Sequence, residues 1–315
     1  MKSIGGYFEL ELKNNGRYHP KSIALNTARN AFEYVLKVRT YKKVYIPYYT
    51  CDVILEPLKK MDIEFEFYAI DKNLEPVFDY DRITLEQGFL YTNYFGLKDD
   101  FIQHHASVIR NLIIDNAQSF FSEPLINIDT FYSARKFFGV SDGSYLYCNQ
   151  LLEEELEQDE SYERMTHLLI RSDKSAEAGY ADFCANDSSL NNQSIKKMSN
   201  LTQKILDGID YIKAKEKRIE NFNLLHEELK DYNLLKIDVA QKQIPMVYPF
   251  WTKNRTIKNR LLEHKIYCAN YWPNVLDWCN DQTLEVQLTH ELIHLPIDQR
   301  YGQKDMELLV DVILR

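Results

Sequence analysis

The stretch "LIIDNAQSF" (residues 112–120) decides how this 315-residue chain is read. Its apolar run Leu112-Ile113-Ile114 has the length and composition of a buried strand, and the run ends on Asp115. In open α/β sheets, ligands bind at the carboxyl ends of the strands, which is where this carboxylate would stand. A second unusual unit follows, "TFYSARKFFGVSDGSYLYC" (residues 130–148). There a basic pair, Arg135-Lys136, sits among aromatic residues, and an Asp142-Gly143 step leads into a strand-like run.

Working outward, the chain alternates. "SIALNTARNAFEYVLKV" places Leu25, Ala28, Phe32, Val35 and Leu36 on one helical face. "KKVYIPYYT" is a short strand, "DVILEPLKKM" a helix, "IEFEFYAI" and "GFLYTNYFG" strands, and "FIQHHASVIR" a helix before "NLIIDNA". This βαβα order predicts a mainly parallel α/β sheet covered by helices. Strands without intervening helices are expected over residues 127–148. Residues 151–231 read as polar and helical, from "LLEEELEQDESYERM" through "KILDGIDYIKAKEKRIENFNLLHEELKDY". The last part, with strand "IPMVYPFWT", helix "IKNRLLEHK", strand "LPI" and helix "DMELLVDVIL", reads as a small α+β unit. The expected division is a large α/β domain over 1–225 and a small C-terminal α+β domain over 226–315.

Composition narrows the class. The net charge is -9, which disfavours a general nucleic-acid binder. The five cysteines form no CxxC pair, which argues against a disulfide framework or a structural zinc site. No apolar run has the length of a membrane span, and "MKSIGGYFELELKNN" lacks the apolar stretch of a signal peptide. A soluble, cytoplasmic protein is expected.

Asp115 and Lys136 point to one small molecule. A carboxylate beside a pyridine nitrogen keeps that nitrogen protonated and makes the ring an electron sink, as pyridoxal phosphate (PLP) chemistry requires. That cofactor also needs a lysine amine that is desolvated or has cationic neighbours. Lys136, flanked by Tyr132, Phe137 and Phe138 and next to Arg135, meets both conditions in the sequence. Each residue alone has a plainer reading: Asp115 as a helix N-cap, Lys136 as part of a solvated basic pair. A phosphate cradle is offered by Asn26-Thr27 at a helix start, where N–H groups and a hydroxyl converge, although Asn and Thr are also ordinary N-caps. Ser133 offers a second hydroxyl.

These units, in order, resemble the PLP-dependent sugar aminotransferases of the DegT/StrS-like family, within the fold-type I aspartate aminotransferase superfamily. The resemblance runs through "GGYFELEL", "IALNTARNAF", "VYIPYYTCDVILEPL", "IIDNAQSF", "SARKFFGVSDGSYLY" and "IHLPIDQRYGQKDMELLVDVI". It implies that Lys136 forms the Schiff base, Asp115 pairs with the pyridine nitrogen and Gln118 lies near the cofactor's phenolic oxygen. Thr27 and Ala28 would cradle the phosphate, with Ser133 helping, and Tyr49 through Cys51 would lie over the ring face. It further implies a homodimer that moves an amino group from an amino acid, with L-glutamate expected, to a nucleotide-linked keto-sugar. A different acceptor on the same fold, or a non-catalytic family member, are the alternatives. The chain departs from the family in several places. The phosphate turn reads Asn-Thr-Ala-Arg without glycine, and Phe131 stands where a serine is usual, leaving Thr130 and Ser133 as the nearby hydroxyls. Asp142-Gly143-Ser144 replaces a double glycine.

One further motif competes. "HELIH" (residues 290–294) matches the HExxH zinc pattern, in which His290 and His294 share a helix face and Glu291 is the base. Pro296 follows closely and is expected to end any helix there, so a zinc hydrolase is a remote alternative and no metal is expected. "WTKNRTIKNR" carries Lys253, Arg255, Lys258 and Arg260, suited to a diphosphate or carboxylate, or to a solvated helix face.

Overall fold

The computed structural model of the chain describes residues 4–238 and 243–315. Strands β1 (Ile23–Leu25), β2 (Lys43–Pro47), β3 (Glu64–Ile70), β4 (Pro76–Val77), β5 (Gln87–Thr92), β6 (Leu112–Asn116), β7 (Asp129–Ser133) and β8 (Ser144–Tyr147) form one sheet. Its order is β1-β8-β7-β6-β5-β2-β3-β4. The inner pairs β3–β2, β2–β5, β5–β6 and β6–β7 are parallel. β8 is antiparallel to both β7 and β1, and β4 to β3. Parallel neighbours need crossovers, which α2 (Leu55–Lys60) supplies between β2 and β3 and α3 (Asp99–His105) between β5 and β6, while α1 (Ala28–Arg39) carries the chain from β1 at one edge to β2.

The central strands are buried on both faces, hence their nearly continuous apolar runs. The side-chain period of two divides them between two cores. Ile113 and Phe131 pack with Phe32, Val35 and Leu36 of α1. Ile114 and Tyr132 pack on the other face with Phe120, Phe137 and Phe138.

The chain continues through α4 (Thr166–Asp173), α5 (Tyr180–Ser189), α6 (Asn200–Asp207) and α7 (Tyr211–Leu229). Then come β9 (Val247–Trp251), α8 (Thr256–Glu263), α9 (Val275–Trp278), α10 (Leu284–Glu291), β10 (Leu292–Pro296) and α11 (Gln303–Leu314). β9 and β10 form an antiparallel pair. Phe222, Leu225 and Leu229 of α7 pack on Tyr248, Phe250, Ile293, Leu295, Met306 and Leu309 in a third core. Helix α7 runs through residue 225.

Three local expectations are corrected. Residues 151–161 hold no helix; the run Glu153-Glu154-Glu155 with Glu157 stacks like charges at helical spacing, which is unfavourable. That segment instead lies along residues 196–198, with the Lys197 N–H donating to the Glu157 carbonyl at 2.8 Å. Leu25 belongs to β1, because Thr27 caps α1 and breaks the periodic face. The helix over "FIQHHASVIR" ends at His105.

Thr27 holds the start of α1. Its hydroxyl accepts from the Asn30 N–H at 3.1 Å and donates to the Asn30 side-chain carbonyl at 2.6 Å. Thr27→Ala is expected to lower unfolding free energy by about 1 kcal/mol in urea denaturation, the usual worth of such a cap.

Acid should weaken this fold. His19 is buried; its Nε2–H donates to the Phe120 carbonyl at 2.9 Å, and its Nδ1 accepts from the Tyr147 hydroxyl at 3.1 Å. Burial pulls His19 down to about 4 and His294 down to about 3, from an ordinary 6.5. Below pH 6.5 the unfolded chain takes up protons that the folded chain refuses. The stability tied to neutral imidazoles is therefore present above pH 6.5 and lost as pH falls toward 4. Urea midpoints measured from pH 7 to pH 4 should fall, and His19→Gln should flatten that fall.

Candidate active site

The carboxyl ends of β5, β6 and β7 lie side by side, with Thr92 opposite Asp115 and Asp115 opposite Phe131. Asp115 ends β6 buried, and its Oδ1 accepts from the Ala117 N–H at 2.8 Å. That bond turns the chain into the Asn116–Gln118 loop. Burial pushes the Asp115 carboxyl above the usual carboxylate range; the positive charge of Lys136 and the Ala117 N–H pull the other way. Lys136 and Asp115 therefore share one neighbourhood, although they lie on different elements.

Lys136 stands in the turn after β7. The Phe137 and Phe138 N–H groups both donate to the Ala134 carbonyl at 3.0 Å, and Ala134 N–H donates to Gly143. Phe137 and Phe138 point inward against Phe120 and Phe121. Lys136 is exposed, which corrects the expectation that flanking aromatics desolvate it: the turn buries Phe137 and Phe138 together and leaves the lysine before them at the surface. Arg135 turns aside to Asp187 of α5 at 2.9 Å.

Lys136 meets a residue from far along the chain. Its Nζ lies 5.8 Å from the centre of the Tyr271 ring, within cation–π range. Tyr271 packs on His294 at 4.3 Å between ring centres. Its neighbour Trp272 meets Tyr49 edge-on at 4.6 Å. Cys51 is also close: burial raises its thiol, and the Lys136 charge opposes that rise. The stretch Tyr49 through Cys51, singled out in the sequence, thus flanks the lysine.

Gln118 has one half of its amide engaged and one half bare. Its Oε1 accepts from the Phe95 N–H at 3.0 Å, while its buried Nε2 has no partner among the described residues. The buried Tyr49 hydroxyl and the His294 Nε2 are likewise unpartnered among the described residues. Such buried polar atoms are rare in folded chains, and a ligand is one way to satisfy them.

The candidate phosphate residues come together as well. The Gly143 N–H donates to the Asn26 carbonyl at 2.6 Å, and Gly143 packs on Ala134. Leu25 of β1 and Ser133 of β7 both pair with Ser144 of β8, so Thr27 and Ala28 at the α1 N-terminus and Ser133 stand at the same end of the sheet with β8 between them. Gly143 has φ +118, and a Cβ there would come within 3.0 Å of Thr202, so the step requires glycine. The Thr27 hydroxyl is already engaged with Asn30, as the N-cap reading expects. The Ser133 hydroxyl makes no hydrogen bond to a described residue.

The HExxH pattern does not assemble. Helix α10 ends at Glu291 and β10 begins at Leu292, so His290 lies on a helix and His294 in a strand. His294 is buried with Nδ1–H donating to the Ala269 carbonyl at 3.0 Å, and the Glu291 carboxylate accepts from the Trp251 indole at 2.9 Å. No His, Cys, Asp and Glu group suited to a metal occurs among the described residues. In "WTKNRTIKNR", Lys258 donates to the His290 carbonyl at the α10 C-terminus and Arg260 to the Ile313 carbonyl. Lys253 and Arg255 are exposed.

Sequence reading missed Tyr271 and Trp272. The run Tyr271-Trp272-Pro273 was the available signal, but only the folded chain brings it against Lys136. Tyr271→Ala is expected to weaken binding of a cofactor at Lys136 by about fivefold through loss of a cation–π contact of about 1 kcal/mol, measured by fluorescence titration with PLP.

No family model matches the chain, and no curated protein matches it. Solved structures do. A DegT DnrJ EryC1 StrS aminotransferase from Brucella abortus superposes with a TM-score of 0.60 at 16% identity, covering 93% of this chain and 85% of the other. The sugar aminotransferase CalS13 from Micromonospora echinospora gives 0.60 at 14%, with 93% and 87% covered. NtdA from Bacillus subtilis, solved with bound cofactor PMP, gives 0.63 at 15%, with 93% and 73% covered. The chain thus has the mainly parallel α/β fold of these aminotransferases.

Proposed function

We propose that the chain is a PLP-dependent aminotransferase that moves an amino group from an amino acid, with L-glutamate the expected donor, to the keto group of a nucleotide-linked sugar. One observation carries the reading: on this fold, a buried aspartate at a strand end lies within the electrostatic reach of a lysine from the next strand's turn. The resemblance of the chain to sugar aminotransferase structures supports the acceptor class. The residues fit the cofactor: a carboxylate for its ring nitrogen, a primary amine for its aldehyde, and an orphan amide donor at Gln118.

When bound, PLP would supply an electron sink for the charge left when a proton leaves the substrate. Asp115 would hold a proton on the ring nitrogen. The Lys136 amine, released by the incoming amino donor, would take the proton from the substrate's Cα and deliver it to the cofactor's former aldehyde carbon, and in the second half-reaction it would carry a proton the opposite way. Gln118 Nε2 would donate to the phenolic oxygen. The N–H groups of the first turn of α1, with Thr27, Ala28 and Ser133, would hold the phosphate. The proposed division of labour is a cofactor-holding domain over 1–225 and a C-terminal domain over 226–315 that brings Tyr271 over the lysine.

The test is an absorbance spectrum of the purified chain with PLP, before and after L-glutamate. A visible band that appears with PLP and falls with L-glutamate is expected; a chain that stays colourless sinks the reading and favours a non-catalytic member of the fold. We further propose a cytoplasmic homodimer. All five cysteines are free, and no helix among the described residues is long and apolar enough to cross a membrane. Ile4, Tyr7, Phe8 and Leu10 are exposed on an extended N-terminal arm, an apolar surface of the kind that a second subunit covers. Light scattering at micromolar concentration should give twice the chain mass of 37.3 kDa.

A further inference from the structure

Arg218 of α7 is the largest side chain among those fully buried, with 1% of its surface exposed. Among the described residues, no carboxylate forms an ion pair with it; the nearby Asp298 carboxylate is held by Arg300 at 2.7 and 2.9 Å. A buried guanidinium without a counter-ion is costly, and it persists only where its donors are used. Here they reach three separate parts of the chain. Nη1 donates to the Met246 carbonyl at 3.0 Å and to Pro245 at 3.4 Å, at the start of β9. Nε donates to Gln299 Oε1 at 3.0 Å, just past β10. Nη2 reaches the Phe137 carbonyl at 3.5 Å, and the guanidinium lies over the Phe137 ring at 4.6 Å.

Gln299 completes the arrangement. Its Nε2 donates to the same Phe137 carbonyl at 2.9 Å. The lysine turn is therefore held from two sides. Its N–H groups are tied within the turn, to Ala134. Its Phe137 carbonyl is tied to α7 and to the segment after β10, both from the second half of the chain. This carbonyl belongs to the Phe137–Phe138 peptide, and the Phe137 N–H on the other side of the same residue is tied to Ala134, so the residue that follows Lys136 is held at both of its peptides.

We propose that Arg218, through Gln299, is a positioning residue for Lys136: a planar fork of donors that sets the Phe137–Phe138 peptide, one residue past the lysine, and so holds the turn from which the amine reaches Tyr271. A lysine at 218 could not do this, because one ammonium cannot serve three carbonyl-bearing segments in a fixed plane. Neither Arg218 nor Gln299 would touch substrate or cofactor. The inference rests on the aminotransferase reading for the purpose of the amine, but not for its geometry.

The test compares wild type with Arg218→Met, Arg218→Lys and Gln299→Leu, each checked for folding by circular dichroism. Lys136 reactivity in the chain without cofactor is measured by competitive acetic anhydride labelling and peptide mass spectrometry. Attachment of PLP is measured separately by borohydride trapping. Positioning predicts that Lys136 labelling changes by about threefold or more, while distant exposed lysines such as Lys42 and Lys72 label as before; losses of this kind loosen a site without removing it. It predicts a fall of about tenfold in the trapping rate for Arg218→Met, with Gln299→Leu smaller in the same direction and Arg218→Lys unable to restore the rate. Unchanged labelling of Lys136 in the folded variants overturns the proposal. Should Arg218→Met fail to fold, Gln299→Leu decides it, since Gln299 is only half-buried. Failure of wild type to trap PLP at Lys136 counts against the cofactor reading, and the labelling arm still judges the positioning.

Discussion

On the proposed function, Lys136→Ala is expected to abolish covalent capture of PLP and to lower amino transfer by about 10³-fold or more, the scale of loss when a nucleophile that also moves a proton is removed. The visible band of the PLP-treated chain should vanish or move to that of free cofactor. Stability should hardly change, because Lys136 is exposed and its one ring contact is with Tyr271. The pairing of a large kinetic loss with a small shift in melting temperature is the discriminating outcome. A variant that turns over at the wild-type rate with an unaltered spectrum would assign the amine elsewhere.

Asp115→Asn separates function from stability in the opposite sense. In the chain without cofactor, burial raises the Asp115 carboxyl, and the Lys136 charge only partly offsets this. A carboxyl raised in the folded state contributes stability that is fully present below its unfolded value and is lost as pH rises through its folded value. At neutral pH the native carboxylate is therefore a burden on the cofactor-free fold. Asparagine keeps an oxygen to accept from the Ala117 N–H without the charge. The expected result is an apo chain with a higher melting temperature at pH 7.5 and a difference that closes toward pH 3. Amino transfer should fall by about 10²-fold or more, because the ring nitrogen loses its counter-charge. Scanning calorimetry across pH, beside a turnover assay, tests both halves. A lower melting temperature at pH 7.5 would contradict the electrostatic account.

Much of this was legible in the residues because strand ends and turns are local. The run Leu112–Ile114 needed only its own composition to be placed as a buried strand, and Asp115 followed as the residue at its tip. Strands without helices were expected around Lys136, but its exposed setting matches the plainer reading of a solvated basic pair and not the desolvated one. Neighbouring aromatics in sequence say little about burial when a turn can bury Phe137 and Phe138 and leave Lys136 outside. The acidic segment 151–161 misled for another reason. Its leucines have helical spacing, but its glutamates find extended partners on residues 196 and 197. The residues that escaped, Tyr271, Arg218 and Gln299, act on Lys136 across long stretches of chain. HExxH failed for the same kind of reason: whether His290 and His294 share a face depends on where α10 stops.

The bond between Gln299 and Phe137 spans 162 positions of the chain. A ribosome must therefore have made and released residue 299 before the turn bearing residue 136 acquires its last support. Nascent or truncated chains that end before residue 299 could close the parallel sheet, since every strand of it lies before residue 148. They would carry the amine on an unbraced turn. On the proposed function, vitamin B6 capture should consequently follow the synthesis of residue 299 and not the earlier closure of the sheet.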